Sequence, residues 1–124
     1  MIRRILKHHI LLSTVWTIII LVLSGMPGSK IPHIHIPGID KVVHFTMYCV
    51  FAFLLLNSFT LQKKFRLSGF NKMVIVFVAG ASLGALNEIL QATIYSGRSA
   101  ELADEAANII GCISGIYIYK KLVS

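Results

Sequence analysis

One sequence feature constrains this chain more than any other. It is an apolar segment, like those of transmembrane helices, that ends in polar side chains. Residues 74–86 read VIVFVAGASLGAL, and the amides and a carboxylate follow within five positions. At about 100° per residue, these polar side chains and the glycines before them fall within roughly a third of a helix circumference. In order they are Gly80, Gly84, Asn87, Glu88 and Gln91, with Arg98 just beyond. A carboxylate costs about 2.5–3.5 kcal/mol at a bilayer centre and less near an interface. Other helices should therefore supply polar partners for Glu88.

The composition indicates an integral membrane protein. Of 124 residues, 56% are hydrophobic and 14% are charged, and the mean hydropathy is +0.76, whereas a soluble domain has about 25% charged residues. The net charge of +7 is divided into short basic clusters between apolar runs, as topogenic charges are. Helices packed in lipid leave no surface that reads a nucleic-acid groove, so nucleic acid is not an expected partner.

Four apolar segments predict an all-α bundle of four transmembrane helices in a single domain, residues 1–124. The helices are expected at about 6–26, 42–61, 73–94 and 100–120. A span of about 20 residues crosses about 30 Å of hydrocarbon.

The lysines and arginines between these segments predict the orientation. Nine lie on one side of the predicted membrane: Arg3, Arg4, Lys7, Lys63, Lys64, Arg66, Lys72, Lys120 and Lys121. Three lie on the other side: Lys30, Lys41 and Arg98. Because the more basic side stays in the cytoplasm, both termini are predicted to be cytoplasmic, in a bacterial inner membrane.

Polar residues share faces at the outer ends of three predicted helices. We expect them to form one extracytoplasmic polar site, a candidate binding site for a ligand. The second helix contributes Asp40, Lys41, His44 and Tyr48; the third and its following loop contribute Glu88, Gln91 and Arg98; the fourth contributes Asp104 and Asn108. Polar residues placed at random along the helices would lie in both leaflets of the membrane.

Two glycine pairs lie beneath these polar residues on the same faces. Gly80 and Gly84 on the third helix, like Gly111 and Gly115 on the fourth, follow the small-xxx-small pattern that lets helix backbones approach closely. We expect this packing to bring the third and fourth helices together, with Glu88 approaching Asp104.

The ordered set of motifs from Asp40 to Gly115 resembles the VanZ-like family of bacterial membrane proteins. The motifs are D-K-x-x-H-x-x-x-Y, E-x-x-Q, an arginine, and D-x-x-x-N-x-x-G-x-x-x-G. The family takes its name from a protein associated with resistance to the glycopeptide teicoplanin. The resemblance implies a multipass envelope protein and an inherited link to glycopeptide susceptibility, and it supplies no biochemical mechanism.

Three functional readings stay open at this point. In the first, the site binds an envelope molecule, either a membrane lipid head group or a lipid-linked wall precursor, with Lys41 and Arg98 on phosphate. In the second, His44 with Glu88 or Asp104 forms an acid–base pair of a membrane-embedded enzyme. The third is a structural ion-pair lock between helix ends. We favour the first, without enzymatic turnover.

No cofactor or metal is favoured by the sequence, and the oligomeric state is left open. The motif His33-Ile34-His35, with Asp40 or His44, is the one arrangement that could hold a metal ion, but loop histidines are more often solvated interfacial residues.

Overall fold

A computed structural model describes residues 7–24, 39–62, 68–93 and 102–123, and throughout these ranges the ordered elements are α-helices, which confirms the all-α prediction. They are α1 (His9–Ser24), α2 (Ile39–Leu61), α3 (Gly69–Thr93) and α4 (Leu102–Leu122). α3 begins at Gly69, four residues before the predicted position, because Ser68 caps its first turn.

Local chemistry fixes two of the helix ends. At the start of α3, the backbone N–H of Asn71 donates to Ser68 Oγ at 3.1 Å, so that Ser68 caps one of the free N–H groups of the first turn. α4 carries Asp104 and Glu105 in its first turn and two lysines in its last. Acidic residues at the start of a helix and basic residues at its end both interact favourably with the helix dipole.

The helices run alternately up and down. Ser58 Oγ, near the end of α2, donates to the backbone oxygen of His9 at the start of α1 at 3.0 Å. The Tyr119 hydroxyl, near the end of α4, donates to Asn57 Oδ1 at 3.2 Å. The start of α1 and the ends of α2 and α4 therefore share one end of the bundle. The opposite end, where α2 and α4 begin and α3 finishes, is called the polar end below.

α2 and α4 run parallel and form the most extensive helix contact among the described elements. Their backbones meet at the glycines of α4. A methyl group added at Gly111 would overlap the carbonyl oxygen of Phe45, and one added at Gly115 would overlap that of Cys49. The Gly111/Gly115 pair therefore sets the approach of α4 to α2, and not to α3 as we expected from the sequence.

The glycines of α3 do face α4, but they meet side chains there. An added methyl at Gly80 would overlap Cys112 Sγ, and one at Gly84 would lie 2.8 Å from both Asn108 Nδ2 and Glu105 Oε2. The expected approach of α3 to α4 is thus present at Gly80 and Gly84, with polar groups of α4 seated over Gly84.

The buried interior is small and the outside of the bundle is apolar. Large hydrophobic side chains point outward from all four helices, including Ile10, Val22, Val42, Phe70, Val78, Ile89, Ile110 and Ile113. Two helices are long and apolar enough to cross a membrane, over Lys41–Leu61 and Gly69–Leu90, while α1 is apolar but shorter. Only 33% and 28% of these two spans are buried in the bundle, whereas the core helix of a soluble protein is mostly buried.

Candidate functional site

Buried polar side chains concentrate at the polar end. Among the described residues, the buried polar or charged ones are Asn57, Asn87, Glu88, Asp104 and Asn108. All but Asn57 lie at the polar end, on the last turns of α3 or the first turns of α4. Buried polar groups are costly unless they are partnered. Their concentration at one end of an apolar bundle therefore needs a structural or functional explanation.

Asp104 connects α4 to two residues of α2. Lys41 Nζ lies 2.8 Å from Asp104 Oδ1, and His44 Nε2 lies 3.5 Å from Asp104 Oδ2. The lysine side chain is 31% exposed, and those of His44 and Asp104 are 13% and 9% exposed. Exposure therefore decreases across the site, from a partly exposed lysine through a half-buried imidazole to a buried carboxylate.

Asn108, one turn further along α4, holds the His44 ring. Its Oδ1 lies 3.0 Å from His44 Nδ1. An amide oxygen only accepts, so Nδ1 carries the proton and donates this hydrogen bond. The imidazole is thereby oriented with Nε2 towards Asp104.

Glu88 brings α3 into the same group. One ligand atom each from His44, Glu88 and Asp104 lies within 4.8 Å of the other two, and both carboxylate residues are buried. Lys41, His44, Glu88, Asp104 and Asn108 are called the polar cluster below. Three helices meet in it, and its members span 67 positions of sequence, from Lys41 to Asn108.

Tyr48 and Asn87 form a second polar contact just inside the cluster. Asn87 Nδ2 donates to the Tyr48 hydroxyl at 2.9 Å, and the two residues are 3% and 1% exposed. This bond joins α2 to α3 and closes the bundle beneath the cluster. Tyr48, a predicted site residue, is therefore buried, and its hydroxyl is in contact with Asn87.

Glu105 is the residue that our sequence reasoning missed. It is not part of the predicted site, yet its carboxylate lies over Gly84 beside Asn108. A signal was present: Glu105, Asn108 and Cys112 are spaced i, i+3, i+7, which places them on one face of α4. That face meets the glycines of α3.

Several predicted site residues lie outside what the structure describes. These are Arg98 and the side chains of Asp40 and Gln91; His33 and His35, from the metal arrangement that the sequence did not favour, lie outside it too. The described members of the predicted set are brought together, with Lys41, His44, Asp104 and Asn108 in direct contact and Glu88 beside them.

The arrangement offers several kinds of chemistry. Lys41 presents a partly exposed ammonium, which can pair with an anion. His44 presents Nε2 beside two carboxylates, a set that can move a proton or hold a cation. The apolar surroundings strengthen each of these electrostatic interactions.

Comparison with protein families gives a match over residues 2–123, essentially the whole chain, to the family described as VanZ/LLP1. The chain belongs to the VanZ/LLP1 family. The resemblance drawn from the motifs between Asp40 and Gly115 is therefore confirmed, and it extends to α1. Comparisons with curated proteins and with solved structures give no match. VanZ/LLP1 membership and the two apolar helices together are consistent with a membrane protein.

Proposed function

We propose that this VanZ/LLP1 protein binds the phosphate-bearing head group of a cell-envelope molecule, a membrane lipid or a lipid-linked wall precursor, at its polar end. The observation that carries the proposal is the meeting of α2, α3 and α4 in one polar cluster that opens at Lys41. Apolar packing alone would stabilise the bundle without this polar cluster. Buried ions are costly unless they are paired, so the presence of the cluster supports a function for it.

The proposed topology has four spans with both termini in the cytoplasm. The apolar outer faces of α1 and α4 support spans in addition to α2 and α3. The alternating helix directions put the start of α1 and the end of α4 at one end of the bundle, which matches the nine basic residues expected there. The polar end then faces the outer leaflet.

The exposure of each residue in the polar cluster indicates which part of a ligand it would contact. Lys41, the most exposed member, would meet a phosphate or pyrophosphate oxygen, and Arg98 is proposed as its partner from the sequence. Glu88, Asp104 and Asn108 would then face hydroxyl, amine or amide groups of the head group. A molecule of this kind connects the site with glycopeptide susceptibility, since these antibiotics act on wall precursors.

The test is binding by purified protein in detergent micelles, measured by native mass spectrometry. The probes are a polyprenyl pyrophosphate, phosphatidylglycerol, and the matching polyprenol, which lacks phosphate. We expect either phosphate-bearing probe to bind at least about tenfold more tightly than the polyprenol, since one charge-assisted hydrogen bond contributes about 1.5–3 kcal/mol.

Lys41→Gln should remove this preference, and Lys121→Gln is the matched control because Lys121 is an exposed lysine at the opposite end of α4. Equal binding of all three probes, or an equal effect of the two substitutions, would exclude the head-group function. In that event the Lys41–Asp104 ion pair is a structural lock between α2 and α4.

An enzymatic function is a second candidate, and the grouping of His44, Glu88 and Asp104 favours it. His44 beside a carboxylate is a common acid–base arrangement. Incubation of the protein with the same phosphate-bearing probes tests for turnover. Product formation that is lost in His44→Ala and Glu88→Gln would establish an enzyme, whereas binding without product supports the proposal above.

A further inference from the structure

We propose that His44, Glu88 and Asp104 form a binding site for one divalent transition-metal ion of the zinc class. The proposal rests on the geometry of these three residues and is independent of the head-group proposal, because metal binding is measured without any lipid.

The donor atoms are preassembled. Three helices deliver one imidazole nitrogen and two carboxylate oxygens to within 4.8 Å of one another. His44 Nε2 and Asp104 Oδ2 are 3.5 Å apart, which is long for an N–H···O hydrogen bond. It is close to the separation of about 3.4 Å between two ligands that each lie about 2.1 Å from a tetrahedral zinc ion. The Glu88 oxygen lies within 4.8 Å of both atoms, so coordination requires it to move inward.

The tautomer of His44 is the one that a metal requires. Because Nδ1–H donates to Asn108 Oδ1, a neutral ring carries its lone pair on Nε2, directed towards the Asp104 carboxylate. Two lone pairs that face each other repel unless a cation lies between them. Metal-bound histidines almost always donate their other N–H to a carbonyl or carboxylate, and Asn108 supplies that acceptor.

The Asn108 amide has its nitrogen on the Gly84 side and its oxygen on the His44 side. Asn108 Nδ2 and Glu105 Oε2 both lie 2.8 Å from the point where a methyl at Gly84 would be, whereas Asn108 Oδ1 lies 3.0 Å from His44 Nδ1.

The ligand set indicates the class of ion. Lys41 binds Oδ1 of Asp104 and leaves Oδ2 on the His44 side, so Asp104 can act as a monodentate ligand. A ligand set of one nitrogen and two oxygens suits Zn²⁺ or Mn²⁺ better than Mg²⁺ or Ca²⁺.

Three protein ligands leave a coordination position open. Zinc sites of this kind hold water or a substrate oxygen in the fourth position. The open position would lie next to Lys41, the partly exposed residue of the cluster.

The test is equilibrium dialysis of the full chain, purified in detergent without a polyhistidine tag, against Zn²⁺, with metal measured by mass spectrometry. One zinc per chain is expected, with Mn²⁺ as a weaker competitor and no competition from excess Mg²⁺. Replacement of zinc by Co²⁺ should give visible absorption bands of a four- or five-coordinate ion. Failure of the wild-type protein to bind stoichiometric zinc overturns the proposal, however the variants fold.

The variants locate the ion. His44→Ala, Glu88→Gln and Asp104→Asn should each weaken zinc binding at least about tenfold, and Asn108→Ala should weaken it about 10- to 100-fold through loss of ring orientation. Far-UV circular dichroism checks that each variant is folded. His8→Ala, at an exposed histidine beside α1 at the opposite end, is the matched control and should bind normally.

Two further variants separate this site from the alternatives. His33→Ala combined with His35→Ala should leave zinc binding intact, and loss of zinc in that variant would assign the ion to these two histidines and refute the proposal. Lys41→Gln should retain zinc, because Lys41 is not one of the three proposed ligands. A wild-type protein that binds zinc but shows no preference for phosphate would refute the head-group function alone.

Discussion

Replacement of Gly115 by alanine tests how α4 packs on α2. The added methyl group would overlap the carbonyl oxygen of Cys49 and lie 3.0 Å from its carbonyl carbon and 3.1 Å from the Ala52 Cβ. Because a backbone carbonyl cannot rotate away as a side chain can, the two helices must separate. Overpacking of this kind costs about 1–3 kcal/mol, and the higher helix propensity of alanine offsets up to about 1 kcal/mol. We expect a net loss of about 1–2 kcal/mol in the free energy of unfolding.

Gly111 provides an internal comparison. An added methyl there would overlap the Phe45 carbonyl oxygen one turn closer to the polar end, so Gly111→Ala should have a similar cost. A single outward movement of α4 relieves both overlaps, and the double variant should therefore cost less than the sum of the two single variants. Gly69→Ala is the control, since nothing lies within 4 Å of the added methyl group.

The assay is unfolding of the purified protein in dodecylmaltoside micelles, followed by far-UV circular dichroism as sodium dodecyl sulfate is added. A loss of 1–2 kcal/mol corresponds to about a 5- to 30-fold shift in the ratio of folded to unfolded protein. Gly115→Ala with wild-type stability, or a double variant whose cost is fully additive, would refute the close backbone contact of α2 with α4.

Three further predictions concern the polar end and the orientation. A double-mutant cycle on Lys41→Met and Asp104→Asn, in the same unfolding assay, should give a coupling near about 1 kcal/mol, because the partly exposed lysine is screened by solvent; a coupling of zero would argue against the ion pair. Tyr48→Phe should cost about 1–3 kcal/mol by leaving the Asn87 amide without its acceptor, and adding Asn87→Leu should restore much of that loss; no recovery would contradict the proposed contact. Green fluorescent protein fused to the C-terminus should fluoresce while alkaline phosphatase fused there stays inactive, and the opposite result would reverse the orientation.

The sequence predicts the helical class and the family because both are written in local patterns. Apolar runs of helical length, broken by basic loops, predict helices wherever the chain is placed. The 3.6-residue period also tells which residues share a face of one helix. His44 and Tyr48 on α2, like Asp104 and Asn108 on α4, could therefore be grouped correctly before any contact between helices was known.

Which faces meet was decided only by the tertiary structure. A small-xxx-small pattern marks a surface of close approach and does not name the partner, so Gly115 could be placed on α4 but not against α2. In the same way, the sequence did not indicate that Gly84 leaves space for the Glu105 carboxylate. The physical reason is that helix formation depends on neighbours within about four residues, whereas helix pairing depends on how side chains from distant segments fill a shared volume.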